Sequence, residues 1–383
     1  MAIRHNGAMP LPPTSLRACT RIVCIAMITL LANACSTVRY YAHVAHGQAQ
    51  LVTRREPIDK AIADPATDAR LAARLRLAQQ ARRFASTQLG LPDNRSYTTY
   101  VDLHRPYVVW NVFAAPRYSV DPILHCFPIA GCVPYRGYFD EAMAKAEAAR
   151  LEARGDDVYV GGVAAYSTLG WFADPILSTM LRWDDDELIG TIFHELAHQL
   201  IYVKDDTAFN ESFASFVQDE GLREWRASRG APPRDDARRQ ADDDFVRLVL
   251  DLRERLRKLY AVLGAGDANR TGPAARADDP AFDAAKEKEI AGFRARYAQW
   301  RDTHWPEDRR YDAFIAQPIN NATLLPFGLY DQWLPAFAAL FRDSGGDWPQ
   351  FYARVRELAR KPANARAAEL SARGSATQSA PMR

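Results

Sequence analysis

The chain has 383 residues, 48% of them hydrophobic, and a formal net charge of +2, enough for a sizeable core in one or two domains. A balance so close to neutral leaves no electrostatic footprint for nucleic acid, and none is expected as a partner. No internal stretch is long and apolar enough to span a bilayer, so any membrane address has to lie at the N-terminus.

Arg4, Arg17 and Arg21 precede a short apolar run, 22–31, that suits the core of a signal peptide better than a transmembrane helix. Ala32-Asn33-Ala34-Cys35 follows and is similar to a lipobox, with Leu31 one place further back than usual. Residues 1–34 are therefore expected to be a lipoprotein signal peptide, with Cys35 carrying a lipid anchor to the membrane. Ordinary cleavage near Ala34, releasing a soluble periplasmic protein, stays open. Ser36 in place of aspartate favours the outer membrane under the usual sorting pattern. Cys19 and Cys24 fall in the signal, which leaves Cys126 and Cys132 as an even pair. C-x5-C is not a usual zinc spacing, so a disulfide in an oxidising compartment is expected.

Residues 35–90 read as an N-terminal helical segment. Tyr40, Tyr41, Val44 and Leu51 have helical spacing, 71–84 is a second helix, and Pro57 and Pro65 punctuate between them. From 91 to 363 one further domain is expected. Residues 107–115 are β-branched and aromatic and read as a strand, 139–154 as an alanine-rich helix, and about 157–168 as a second strand. Within the last, 161–170 is the candidate edge strand against which an extended peptide could pair.

Leu188, Ile189, Ile192, Phe193, Leu196, Ala197, Leu200 and Ile201 then recur at helical spacing, and Asp184, Asp185 and Asp186 offer an N-cap. Inside this helix stands His194-Glu195-Leu196-Ala197-His198, an H-E-x-x-H arrangement. Histidines four apart share one helix face, where both imidazoles can hold a single metal ion; Glu195 sits at the edge of that face, placed to take a proton from a water. Two histidines need a third protein ligand. Ile201 and Lys204 occupy the places of the glycine and third histidine of metzincins, which excludes that class. The alternative is a glutamate from the next helix, 207–226, capped by Asp205, Asp206 or Thr207, and Glu211 is the candidate. Asp219 and Glu220 lie two turns on, as competitors or as partners of a histidine Nδ1.

The stretches His194–His198, Asn210-Glu211-Ser212-Phe213-Ala214, Cys126–Phe139, Val163–Trp171 and Asn320-Asn321-Ala322 carry a resemblance. The chain resembles gluzincin metallopeptidases and, more closely, a bacterial family of zinc aminopeptidases with a lipoprotein signal, over roughly 35–360. The resemblance implies an α+β, mostly helical, zincin-like fold with a small sheet before the active-site helix, one Zn2+ per chain and a peptide substrate.

The rest of the chain is helical: 241–263, 282–301, about 333–341 and 347–361, with a surface loop over 265–280 and a disordered tail from 364 to 383. Amide hydrolysis also needs a donor for the developing oxyanion, and Tyr330 and Tyr166 are the candidates. An aminopeptidase further needs a carboxylate for the substrate amine, for which Asp219 and Glu220 are available. Two other classes stay open: a non-catalytic zinc-stabilised envelope lipoprotein, and a zinc hydrolase of a non-peptide amide. Cleavage preference and oligomeric state have no signature here.

Overall fold

The computed structural model describes residues 37–127, 131–262, 280–327 and 333–378. The signal segment with Cys35, most of the 265–280 loop and Tyr330 lie outside the described residues. The chain divides into two compact units, 1–53 and 54–383. In the first, residues 37–53 form one helix, α1, on which Tyr40 and Tyr41 pack edge to face at 5.5 Å.

Among the described residues the second unit is mostly helical, with three small sheets. It runs β1 (Glu56–Pro57), α2 (Ile58–Ala63), α3 (Ala69–Thr87), β2 (Thr99–Val101), β3 (Val109–Pro116), β4 (His125–Phe127), β5 (Gly131–Val133), β6 (Tyr135–Tyr138), α4 (Glu141–Glu152), β7 (Asp156–Val163) and β8 (Ile176–Leu177). Then follow α5 (Asp185–Leu200), α6 (Thr207–Ser228), α7 (Asp236–Val262), α8 (Pro280–His304), α9 (Asp312–Ala316), α10 (Leu334–Asp343), α11 (Trp348–Ala359) and α12 (Ala363–Gln378). No described helix is long and apolar enough to cross a membrane.

The largest sheet has the order β6-β3-β7, antiparallel throughout, with β7 paired to β3 from Val109↔Val163 to Pro116↔Asp156. Helix α4 packs on it through Ala144, Ala148 and Leu151, while Phe113 and Ala115 of β3 meet Ala322 and Leu325. The Asn320-Asn321 pair holds this junction. Asn320 Nδ2 donates to the Val158 carbonyl (2.9 Å), and the Asn321 N–H donates to Asp157 Oδ2 (2.8 Å). The Tyr260 hydroxyl donates to Asn321 Oδ1 (2.9 Å), tying α7 to the same point. Cys126 and Cys132 are joined as a disulfide across the β4–β5 hairpin.

Three of the expected boundaries are corrected. Strand β7 ends at Val163, so 164–170 does not continue it: Asp174 gathers hydrogen bonds from Thr168, and Leu169 (φ +54°) with Gly170 (φ +82°) turns the chain. The tail expected to be disordered from 364 is helical through Gln378. Its composition reads as solvated, but Arg366, 4% exposed, donates to Asp206 (2.5 and 2.8 Å) and lies over the Phe209 ring, and Leu370 is buried. Helix α3, expected to belong to a separate N-terminal segment, lies within the larger unit: Phe84 packs on Phe193 of α5 (6.0 Å) and Trp225 of α6 (5.3 Å).

Candidate metal centre and active site

Helix α5 starts where the aspartate triplet offers a cap. Asp184 is the residue used, its carboxylate accepting the Glu187 N–H at 2.8 Å, and three further acidic residues follow in the first turn, at the positive end of the helix dipole. The apolar stripe Leu188, Ile189, Ile192, Phe193, Leu196 and Ala197 is buried, which turns the remaining face of the helix towards α6 and the site. Helix α6 runs antiparallel to it: Arg226 pairs with Asp186 at one end (2.7 Å), and Glu211 meets the histidines at the other. The helices approach closely at Gly221, where a Cβ would lie 2.6 Å from Leu89 Cδ1 and 3.0 Å from the Phe193 ring. Phe209, Phe213 and Phe216 bury the opposite face of α6 against Phe337, Phe341 and Phe351 of α10 and α11.

The turn between the helices sets the register. Of the three possible caps Asp206 is the one used, accepting the Phe209 N–H at 3.0 Å, and Arg366 holds the same carboxylate. Asn210, 1% exposed, closes the turn on itself: Val203 N–H donates to its Oδ1 and its Nδ2 donates to the Val203 carbonyl, both at 2.7 Å. The amide thus gives the half-buried Val203 N–H an acceptor just past the end of α5 and adds a second donor to the Val203 carbonyl, which also accepts the Asp206 N–H (3.3 Å). Asp205, at φ +65°, accepts the Cys132 N–H at 2.8 Å, so the disulfide hairpin braces the turn from outside.

With that register, Glu211 reaches the histidines. The Nε2 atoms of His194 and His198 are 3.1 Å apart, and Glu211 Oε2 lies 3.3 Å from the first and 3.7 Å from the second. One donor atom from each residue lies within 4.8 Å of the other two. The groups are withdrawn from solvent, His198 at 6% and Glu211 at 20% side-chain exposure. Burial alone would raise the Glu211 carboxyl, but His198 and His194 hold it well below the usual carboxylate range. Burial likewise works to lower the His198 imidazole, and the charges of Glu211 and Glu195 outweigh it, leaving it raised. Two imidazole nitrogens and a carboxylate oxygen converging on one point form a donor set that fits a divalent metal ion.

Further groups share the field of this centre. Burial raises Tyr135 of β6, and Glu211, Tyr202 and Glu195 add to it. Tyr202, whose ring is 6.3 Å from that of His198, is raised by burial and then by Glu211. On the side of Glu195, the wholly buried Tyr97 is raised by burial and then by Glu195 and Asp174. Asp174 itself is pushed up to about 6, chiefly by burial, with Glu195 contributing.

The structure therefore brings His194, His198 and Glu211 together, with Glu195 beside them. Tyr166 packs on Phe139 (5.2 Å) and shares the field of Tyr135; Tyr330 lies outside the described residues. Glu220 is taken by Arg223 (2.6 Å), and Asp219 by Arg239 (3.0 Å), although Asp219 also feels His194. Sequence reading missed Tyr135, Tyr202, Tyr97 and Asp174. Only Tyr202 carried a signal, four residues beyond His198; the others reach the site through strand pairing and loop packing.

Residues 39–370 match the model of a protein family described as "Putative aminopeptidase". The chain belongs to that family. The matched span runs from within α1 into α12 and includes every residue of the His-His-Glu cluster. No curated protein and no solved structure matches the chain.

Proposed function

We propose that the chain is a zinc-dependent aminopeptidase that hydrolyses peptide bonds in the bacterial cell envelope through a zincin-like catalytic centre. The observation that carries the reading is the convergence of His194 Nε2, His198 Nε2 and Glu211 Oε2, a three-donor set suited to a catalytic zinc. When bound there, zinc supplies Lewis-acid polarisation of a carbonyl and lowers the pKa of a water. His194 and His198 orient the site from one helix face, and Glu211 offsets positive charge from the next helix. Glu195 accepts the proton of the attacking water and returns it to the departing amine as the C–N bond breaks. For the carbonyl oxygen where negative charge develops we infer Tyr135 as the donor, since burial, with Glu211 and Glu195 adding to it, raises its phenol and keeps it protonated. The family match supports the peptidase class. Membership of the envelope rests on the signal-like N-terminus with Cys35 and is compatible with the disulfide between Cys126 and Cys132.

The test pairs metal content with turnover. Wild type is expected to hold one zinc per chain and to release N-terminal residues from peptides. Glu195→Gln should keep the zinc and lose roughly 10²–10⁴-fold in kcat. His194→Ala should lose both. Full turnover in Glu195→Gln removes that residue as the base, and purified protein without stoichiometric metal removes the hydrolase reading.

A further inference from the structure

Glu195 and Gln199 are one turn apart on α5, on a face adjoining that of the two histidines. A built turn sits on Gln199. The Gln199 amide accepts from Asn94 Nδ2 (2.7 Å) and donates to Ser96 Oγ (3.3 Å) and Asp174 Oδ2 (3.4 Å). Gly170 lies flat on it, since a Cβ at that position would stand 3.4 Å from Gln199 Cγ. The carboxylate of Asp174, a residue 2% exposed, accepts from the Thr168 N–H (3.0 Å) and the Thr168 hydroxyl (2.8 Å). Thr168 Oγ1 in turn accepts the Phe172 N–H (3.0 Å), and Arg55 donates to the Ala173 carbonyl (2.9 Å).

All of this polar work holds two neighbouring aromatics out in water: Trp171 is 67% exposed and Phe172 51%. Large apolar groups fixed in solvent by a bonded turn mark a binding surface. This turn is seated on the helix that carries the proposed base, and its buried carboxylate lies in the field of Glu195. The position favours the substrate of the site as occupant over a membrane or a second protein surface.

Resting on the peptidase reading, we propose that Trp171 and Phe172 form the recognition platform for a bulky apolar side chain of the peptide substrate next to the scissile bond. The substrate class is therefore peptides with an aromatic or large aliphatic residue at that position. In the zinc-loaded full chain, Trp171→Ala and Phe172→Ala should each raise KM roughly tenfold for such peptides, with kcat nearly unchanged. Matched peptides carrying alanine or lysine there should change less than twofold. A second measurement is independent of turnover: anisotropy of a labelled Phe-containing peptide added to Glu195→Gln, compared with Glu195→Gln combined with Trp171→Ala. Peptide binding that depends on Trp171 supports the platform even if the wild type hydrolyses nothing, in which case only the hydrolase reading falls. Equal losses for apolar and small substrates, or no loss for either, would overturn it. So would unchanged peptide binding alongside loss of co-sedimentation with phosphatidylglycerol–phosphatidylethanolamine vesicles, an outcome that assigns the aromatics to a membrane surface.

Discussion

Two long helix pairs lie in the larger unit and differ in what they bury. Helices α7 and α8 pack through Phe245, Val249, Leu252 and Leu256 against Ile290, Phe293 and Tyr297, a seam of almost wholly apolar side chains. Helices α5 and α6 pack just as intimately, yet bury His198, Asn210 and Ser212 among Phe193, Phe209 and Phe213. Polar groups withdrawn from water cost stability unless bonded. Asn210 is bonded on both sides, whereas the histidines are bonded to each other and to a carboxylate. The comparison separates a seam built almost wholly of apolar packing from one that gives part of its interior to a polar cluster able to hold a metal ion.

The largest effect on stability should come from the apolar pair. Phe293→Ala, at a site with no solvent exposure, is expected to cost about 3–5 kcal/mol in urea unfolding, while kcat/KM per folded molecule stays within twofold. A matching loss of kcat/KM would erase the division of labour. Glu211→Ala should do the reverse: metal affinity, read by competition with a chromophoric chelator, falls more than the 100-fold expected for a residue merely supporting a ligand. Unchanged affinity would place the third donor elsewhere.

Asp174 extends the contrast to pH. Its carboxyl is raised to about 6, above the ordinary value near 4, so the folded state keeps a proton that the unfolded chain releases. Its contribution to stability is complete below about pH 4 and is lost as pH rises through about 6, by roughly 2–3 kcal/mol. Subtracting the Asp174→Asn unfolding profile from that of the wild type should expose this slope; a flat difference from pH 4 to 7 contradicts it. The smallest effect is expected at the turn. Asn210→Ala leaves the Val203 N–H without its acceptor and should cost about 1–3 kcal/mol, with roughly tenfold weaker metal binding because Glu211 loses its register. Loss of stability with unchanged metal affinity would show that the clasp is structural only.

Much of this was legible in the chain. Periodicity alone located α5, and His194 and His198 share a face whatever else the protein does, because helical pitch is a local property. Glu211 followed because a short turn leaves the next helix little choice but to fold back. The strand at 109–116 showed in its β-branched and aromatic content. Three other features were hidden for one common reason. Tyr135 stands in a turn-rich stretch with no period to mark it, Asp174 is one aspartate among many, and Arg366 sits in an alanine-rich tail. Each takes its role from a partner far along the chain: Glu211, Gln199 and Asp206 respectively.

The local order of residues was thus enough to specify the helix that carries the histidines, its aspartate cap and the chemical nature of the donor set. Tertiary structure alone decided that Asp206 rather than its neighbours caps α6, that β7 stops at Val163, and that a carboxylate and two tyrosines close around the site. Backbone propensity acts over a few residues, while burial and charge act through space, and these distant groups meet only after the core has formed.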